Sequence, residues 1–203
     1  MKIPPFSTVK VWQVGLLTLA AYWALVPFVA QTWLRSGDEP HYLLLAHSLA
    51  FDGDLDLRNN YADRDFAAFY TAAEIDRHTV LRPDGSEVLT HNPGLSFLIA
   101  PAYRLGGYRG ALLFLAALGA LLAAQVFALA RDLTGNTPAA LTAWFLAAFC
   151  PPGLWYVFLF YPEMPGALCA VLAIRALWAL HPARALPPQT FRVFETLKVF
   201  GFA

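Results

Sequence analysis

Two adjacent carboxylates, Asp38 and Glu39, stand where a long apolar run gives way to polar sequence, in Ser36-Gly37-Asp38-Glu39-Pro40-His41-Tyr42. A carboxylate beside a membrane, partly stripped of water, holds its proton more tightly and serves as a general base. The same stretch also has the form of a helix start. Ser36-x-x-Glu39 matches a capping box, and Asp38 stands ready to cap a helix beginning at Pro40. The two readings are compatible, because a capped helix start is a rigid mount. A third carboxylate, Glu163, lies between two prolines in Tyr161-Pro162-Glu163-Met164-Pro165. An ionisable group at membrane depth is costly and faces a cavity or a partner; the competing reading is a solvated loop acid.

Other candidates are weaker. His91, beside Asn92-Pro93-Gly94, meets Asp38 if the segment before it folds back as a hairpin. His41 and His47 do not share a helix face, which argues against a metal site made of that pair. Asp52-Gly53-Asp54-Leu55-Asp56 invites a calcium-loop reading, but it lacks the spacing and the distal Glu of an EF-hand, so a solvated turn is expected. Arg104 and Arg109 suit either a lipid phosphate or an ordinary interfacial role. Cys150 and Cys169 sit in apolar surroundings with no zinc-type spacing, and are read as small residues packed between helices.

The elements that must position these groups follow from composition. The chain is 58% hydrophobic and 14% charged, against about a quarter charged in soluble domains, and this points to a membrane protein. Most of the acids fall between Arg35 and Asn92, and that acidic surplus sets aside a nucleic-acid partner. The expected fold is all-α and polytopic: one membrane domain of about four transmembrane helices with a long extracytoplasmic first loop.

The first span covers 11–34, too long for a signal-peptide core and with bulky Phe28 where a cleavage site wants a small residue. It is expected to bend at Pro27, with Trp33 as an interfacial anchor. The loop, 35–108, holds an interfacial helix from His41 to Phe51, with Tyr42, Leu45 and Leu49 at helical spacing. A hairpin follows, with Thr79–Arg82 and Glu87–Thr90 around Pro83-Asp84-Gly85-Ser86. A short apolar segment, Leu95–Leu105, then ends at Gly106-Gly107. The second span is 109–130, with Gly119 permitting close helix approach. The third, 138–157, starts at Pro138 and is interrupted at Pro151-Pro152-Gly153. The fourth is 164–181, and the tail 182–203 reads as an interfacial helix or the start of a fifth. Lys2, Lys10, Arg131, Arg175 and Arg184 collect at one set of ends, with Arg175 close enough to snorkel. The positive-inside rule then places the acidic loop and Glu163 together outside.

Gly37-Asp38-Glu39-Pro40-His41-Tyr42, in the first external loop after one span, resembles the acidic motif of the GT-C glycosyltransferases. It is closest to bacterial members related to protein O-mannosyltransferases and the aminoarabinose transferase. Tyr161-Pro162-Glu163 is similar to the acidic position many of them carry in the second such loop; Asp52-Gly53-Asp54-Leu55 and His91-Asn92-Pro93-Gly94 also resemble stretches of bacterial members. The resemblance covers Val11 to about Leu180.

It implies an inverting transferase of the bacterial inner membrane, moving a sugar from a polyprenyl-phosphate donor to an acceptor at the extracytoplasmic face. Asp38 would be the base, with Glu39 and Glu163 orienting acceptor, donor phosphate or a divalent metal ion, which some members use and others do not. His91, Arg104 and Tyr42 would line the substrate site, and membrane lipids would surround it. Members of the family usually have twice as many spans or more, so the chain reads as an N-terminal portion, its missing C-terminal part a further partner. The alternative is a non-catalytic membrane scaffold or assembly subunit.

Overall fold

The computed structural model describes residues 9–180; Lys2, Arg184 and the expected tail 182–203 lie outside them. Helix α1 (Val11–Thr32) has 22 residues, which at 1.5 Å each reach about 33 Å, enough to cross a hydrocarbon core of about 30 Å. It continues through Pro27. Val14, Thr18, Tyr22, Val26 and Val29 form a single inward stripe at helical spacing. Trp12, Leu16, Leu17, Trp23 and Phe28 face outward, an apolar surface that suits lipid rather than water.

The hub is α4 (Gly94–Thr134), which packs against α1, α2, α5 and α7. It has two arms, 94–105 and 108–134, meeting at Gly106 (φ −140°, ψ 17°) and Gly107 (φ 58°, ψ −149°). The Gly107 conformation is essentially restricted to glycine, so the break expected at this pair has a backbone cause. Gly119, on the inner arm, allows close packing. A Cβ there would lie 2.7 Å from Val157 Cγ2 and 3.4 Å from the Tyr22 ring.

Helix α5 (Thr137–Phe149) is capped by the Asn136 side chain, which accepts from the Ala139 N–H at 3.0 Å. Its 13 residues reach about 20 Å, short of a bilayer. The Pro151-Pro152 pair then removes two backbone donors, and a single turn, α6 (Gly153–Tyr156), follows. The expected third span is therefore two helical pieces and a loop. Yet the stretch 136–160 is tied to α1 and the residues after it. Trp144 donates to the Thr18 hydroxyl (2.9 Å), Tyr22 to the Ala148 carbonyl (2.7 Å) and, beyond the helix end, Arg35 to the Phe158 carbonyl (2.8 Å). Last comes α7 (Glu163–Leu180), with Leu172, Ile174, Leu177 and Leu180 exposed. Among the described residues, α1, α4 and α7 are long and apolar enough to cross a membrane.

The segment between α1 and α4 folds over one end of this bundle. Helix α2 (Glu39–Phe51) buries Tyr42, Leu43, Leu44, Leu45 and Ala46; an apolar run with no polar face is buried all round, unlike the surface helix expected. After it come α3 (Arg58–Ala62), a 3₁₀ turn at Asp65–Ala68, and the strands β1 (Thr79–Leu81) and β2 (Glu87–Leu89). The strands are antiparallel, with Thr79 opposite Leu89. The acids expected to form a solvated turn lie in an exposed turn, and they are also bonded into this cap. Asp52 accepts from Asn59 and Asn60, Asp54 from Ser48 and the Asp56 N–H, and Asp56 from Arg58 and the Glu87 N–H. They fasten the hairpin to the end of α2.

Candidate functional site

The backbone at Asp38 is the N-cap of α2, but its side chain makes no capping hydrogen bond. Glu39 keeps one half of the expected capping box, accepting from the Ser36 N–H, ahead of the helix, at 3.4 Å. Its other oxygen accepts from Arg35 Nη1 at 2.8 Å and from the Phe160 N–H at 3.0 Å. Both side chains of the Arg35–Glu39 pair are about 1% exposed, and the guanidinium lies 5.2 Å from the Tyr108 ring and 5.5 Å from the Phe160 ring. Glu39 is thus committed to the interior.

Asp38, freed from capping, turns outward to two histidines. Its Oδ1 is 3.4 Å from His78 Nδ1 and 3.3 Å from His91 Nε2, and those two nitrogens are 3.4 Å apart. The hairpin sets this up. His78 directly precedes β1, and its carbonyl accepts from the Thr90 N–H (2.9 Å) and Oγ1 (3.0 Å); His91 follows Thr90, two residues past the end of β2. All three side chains are between a quarter and two-fifths exposed.

Behind them, the His41 ring stacks on His78 with centroids 4.0 Å apart. His41 follows Asp38 by one helical turn, on the same face, and its Nδ1 lies 3.4 Å from the Tyr61 hydroxyl. Burial first, and the neighbouring His78 second, bring its pKa down to about 4, so it is neutral at pH 7. The Tyr42 ring packs 5.7 Å from His91.

Glu163 is at this same end of the bundle. The Tyr42 phenol is raised by burial first, then by the negative charges of both Asp38 and Glu163. The Tyr161 hydroxyl donates to the Ser36 carbonyl at 3.4 Å and rests against Gly37, where an added Cβ would be 2.7 Å from it. Glu163 itself lines the rim of a cavity of about 210 Å³ between helices, with Tyr22, Gly119, Ala123, Pro152 and Met164. Asp38 is not part of that lining. Its partners are the histidines.

Arg104 lies apart. Its guanidinium sits 4.8 Å from the Phe51 ring, at the far end of α2, about 20 Å of helix from Asp38. Arg109 is exposed. At the opposite end of the bundle Arg175 is paired rather than merely snorkelling, 3.2 Å from Asp132 and also bonded to Gln125. Cys150 is half-buried, while Cys169 is exposed on α7, because that helix turns only one face to α4; the expected packing between helices does not hold for it.

His78 and the stacked His41 are absent from the sequence-based site. The signal for His78 was the hairpin itself: the register puts His78 opposite Thr90, one residue before His91, so both imidazoles stand at the open end of the ladder. No family model matches the chain, and neither does any curated protein or solved structure.

Proposed function

We propose that the chain acts as a membrane glycosyltransferase of the GT-C type, moving a sugar from a polyprenyl-phosphate donor to an acceptor hydroxyl at the extracytoplasmic face of the bacterial inner membrane. The observation that carries this reading is the freed Asp38 carboxylate, solvent-accessible at the bundle end that also holds Glu163. In the transfer, Asp38 takes the acceptor proton as the hydroxyl oxygen attacks the anomeric carbon. The bond from that carbon to the phosphate oxygen breaks, and polyprenyl phosphate leaves with its electrons.

Glu163 orients the reacting partners from the rim of an apolar cavity, whose walls suit a prenyl chain. Tyr42 and His91 flank the acceptor. Glu39 is a positioning residue, holding the helix start through Arg35 and Phe160. Arg104, remote from Asp38, serves the lipid headgroups.

The test is sugar transfer in membranes carrying the protein, with a labelled polyprenyl-phosphate donor. Removing a general base slows a reaction by about 10²–10⁴-fold, so Asp38→Asn is expected to lose at least about 100-fold. Undiminished transfer by that variant would refute the assignment.

A further inference from the structure

Asp38, His78 and His91 form a nearly equilateral triangle of one oxygen and two nitrogens, with edges of 3.3 to 3.4 Å. As hydrogen bonds these distances are poor: a charge-assisted N–H···O⁻ contact closes to about 2.7–2.9 Å. As the edges of a metal site they fit. Ligands about 2.0–2.1 Å from zinc at tetrahedral angles are separated by about 3.3–3.4 Å. An octahedral site with bonds of about 2.1 Å would need edges near 3.0 Å. Calcium would tolerate longer edges, but it takes oxygen ligands rather than imidazoles.

The geometry points to a tetrahedral divalent-cation site of the zinc class, with Asp38 Oδ1, His78 Nδ1 and His91 Nε2 as three ligands and the fourth position open to solvent. The donor set agrees with this class, since imidazole nitrogen and carboxylate oxygen are ordinary zinc ligands and three protein ligands leave a coordination place free. The mount agrees as well. Two ligands come from the open end of one hairpin, where the His78 carbonyl is bonded to Thr90, the residue before His91, and the third from a helix start fixed by the Glu39 hydrogen bonds. Ring stacking on His41 restrains the His78 imidazole, an outer-shell arrangement of the kind that tunes ligand orientation. This assignment stands whether or not the chain transfers a sugar; with Oδ1 on the ion, only Oδ2 of Asp38 is left to take an acceptor proton.

The experiment uses the full chain purified in detergent on a tag without histidines, stripped with a chelator. Zinc is then titrated calorimetrically, and cobalt(II) is added separately as a spectroscopic probe. One zinc ion per chain is expected, together with the intense visible absorption of four-coordinate cobalt, bleached by zinc. His78→Gln and His91→Gln are each expected to weaken zinc binding by about 100-fold or more, the upper end of what even outer-shell changes cost. His47→Gln, whose side chain contacts Asp65 and Tyr103 instead, leaves affinity unchanged.

Absence of zinc binding by the wild-type chain overturns the proposal. So does binding that survives both glutamine variants, or a six-coordinate cobalt spectrum. Should a glutamine variant fail to fold, the wild-type stoichiometry and cobalt spectrum still decide. Zinc binding without sugar transfer sinks the enzymatic reading alone.

Discussion

The buried Arg35–Glu39 pair and the open Asp38–His78–His91 cluster occupy the same end of the molecule, and adjacent residues supply their carboxylates. Glu39 is sealed by α2, by Phe160 and by the Tyr108 ring, with its charge matched in place. Asp38 faces solvent, and its partners arrive from a hairpin some forty residues on. The difference teaches that a doubled carboxylate divides its labour: one member holds the corner, the other stays accessible to solvent and to the hairpin histidines. Removing each should therefore have opposite consequences.

The largest expected effect is on stability. Removing one partner of a buried ion pair strands the other, at a cost of about 3–5 kcal/mol. Glu39→Ala should accordingly lower the thermal midpoint in detergent sharply. Asp38→Ala, at a half-buried position whose side chain makes no capping bond, should cost about 1 kcal/mol at most in the metal-free chain. Replacing Arg35 and Glu39 together with methionines sharpens the contrast, because an apolar pair avoids the desolvation of both charges and should recover most of the loss. Equal destabilisation by the Glu39 and Asp38 variants would erase the distinction.

A smaller effect is expected at Gly37, which lies between Arg35 and Glu39 in the chain. Gly37 has φ +57°, and a side chain there would also meet the Tyr161 hydroxyl at 2.7 Å. The left-handed backbone alone costs a non-glycine residue about 1–2 kcal/mol. Gly37→Ala should lower stability by at least that much, and should displace Tyr161 from the Ser36 carbonyl. The displacement is readable as increased proteolysis near Tyr161. A midpoint matching wild type would mean that the turn relaxes freely, and that the corner is less fixed than its contacts imply.

These contacts also show what the sequence could and could not reveal. Run length made α1, the inner arm of α4 and α7 legible, because about 20 apolar residues have few other uses. The breaks at Gly106-Gly107 and Pro151-Pro152 were legible from their backbone chemistry. The burial of α2 was half-visible: Tyr42, Leu45 and Leu49 suggested one apolar stripe, but Leu43, Leu44 and Ala46 fill the remaining faces. The fate of Glu39 was hidden, since it depends on the Phe160 N–H from 121 residues away. His78 depended on strand register, which a three-residue ladder encodes weakly.

The smallest expected effect concerns how firmly the hairpin, and so two members of the open cluster, is held. Asp56 accepts from Arg58 and from the Glu87 N–H at the start of β2. The Arg58 side chain above all, with help from the two backbone donors, lowers its pKa to about 2, against about 3.9 for an unfolded Asp. A carboxyl depressed on folding stabilises the fold fully above the unfolded value, and that contribution fades as pH falls through the folded value. The tether should therefore be intact above about pH 4 and weaken as the pH drops to about 2. Because the ion pair is open to solvent, salt screens it and the change is modest. Hydrogen exchange at the Glu87 amide, stepped downward in pH and corrected for its intrinsic rate, should show protection falling across that window. Arg58→Ala should begin the fall at higher pH, since the largest cause of the depression is gone. Protection in that variant that tracked wild type at every pH would show that the strands, not Asp56, hold the hairpin in place.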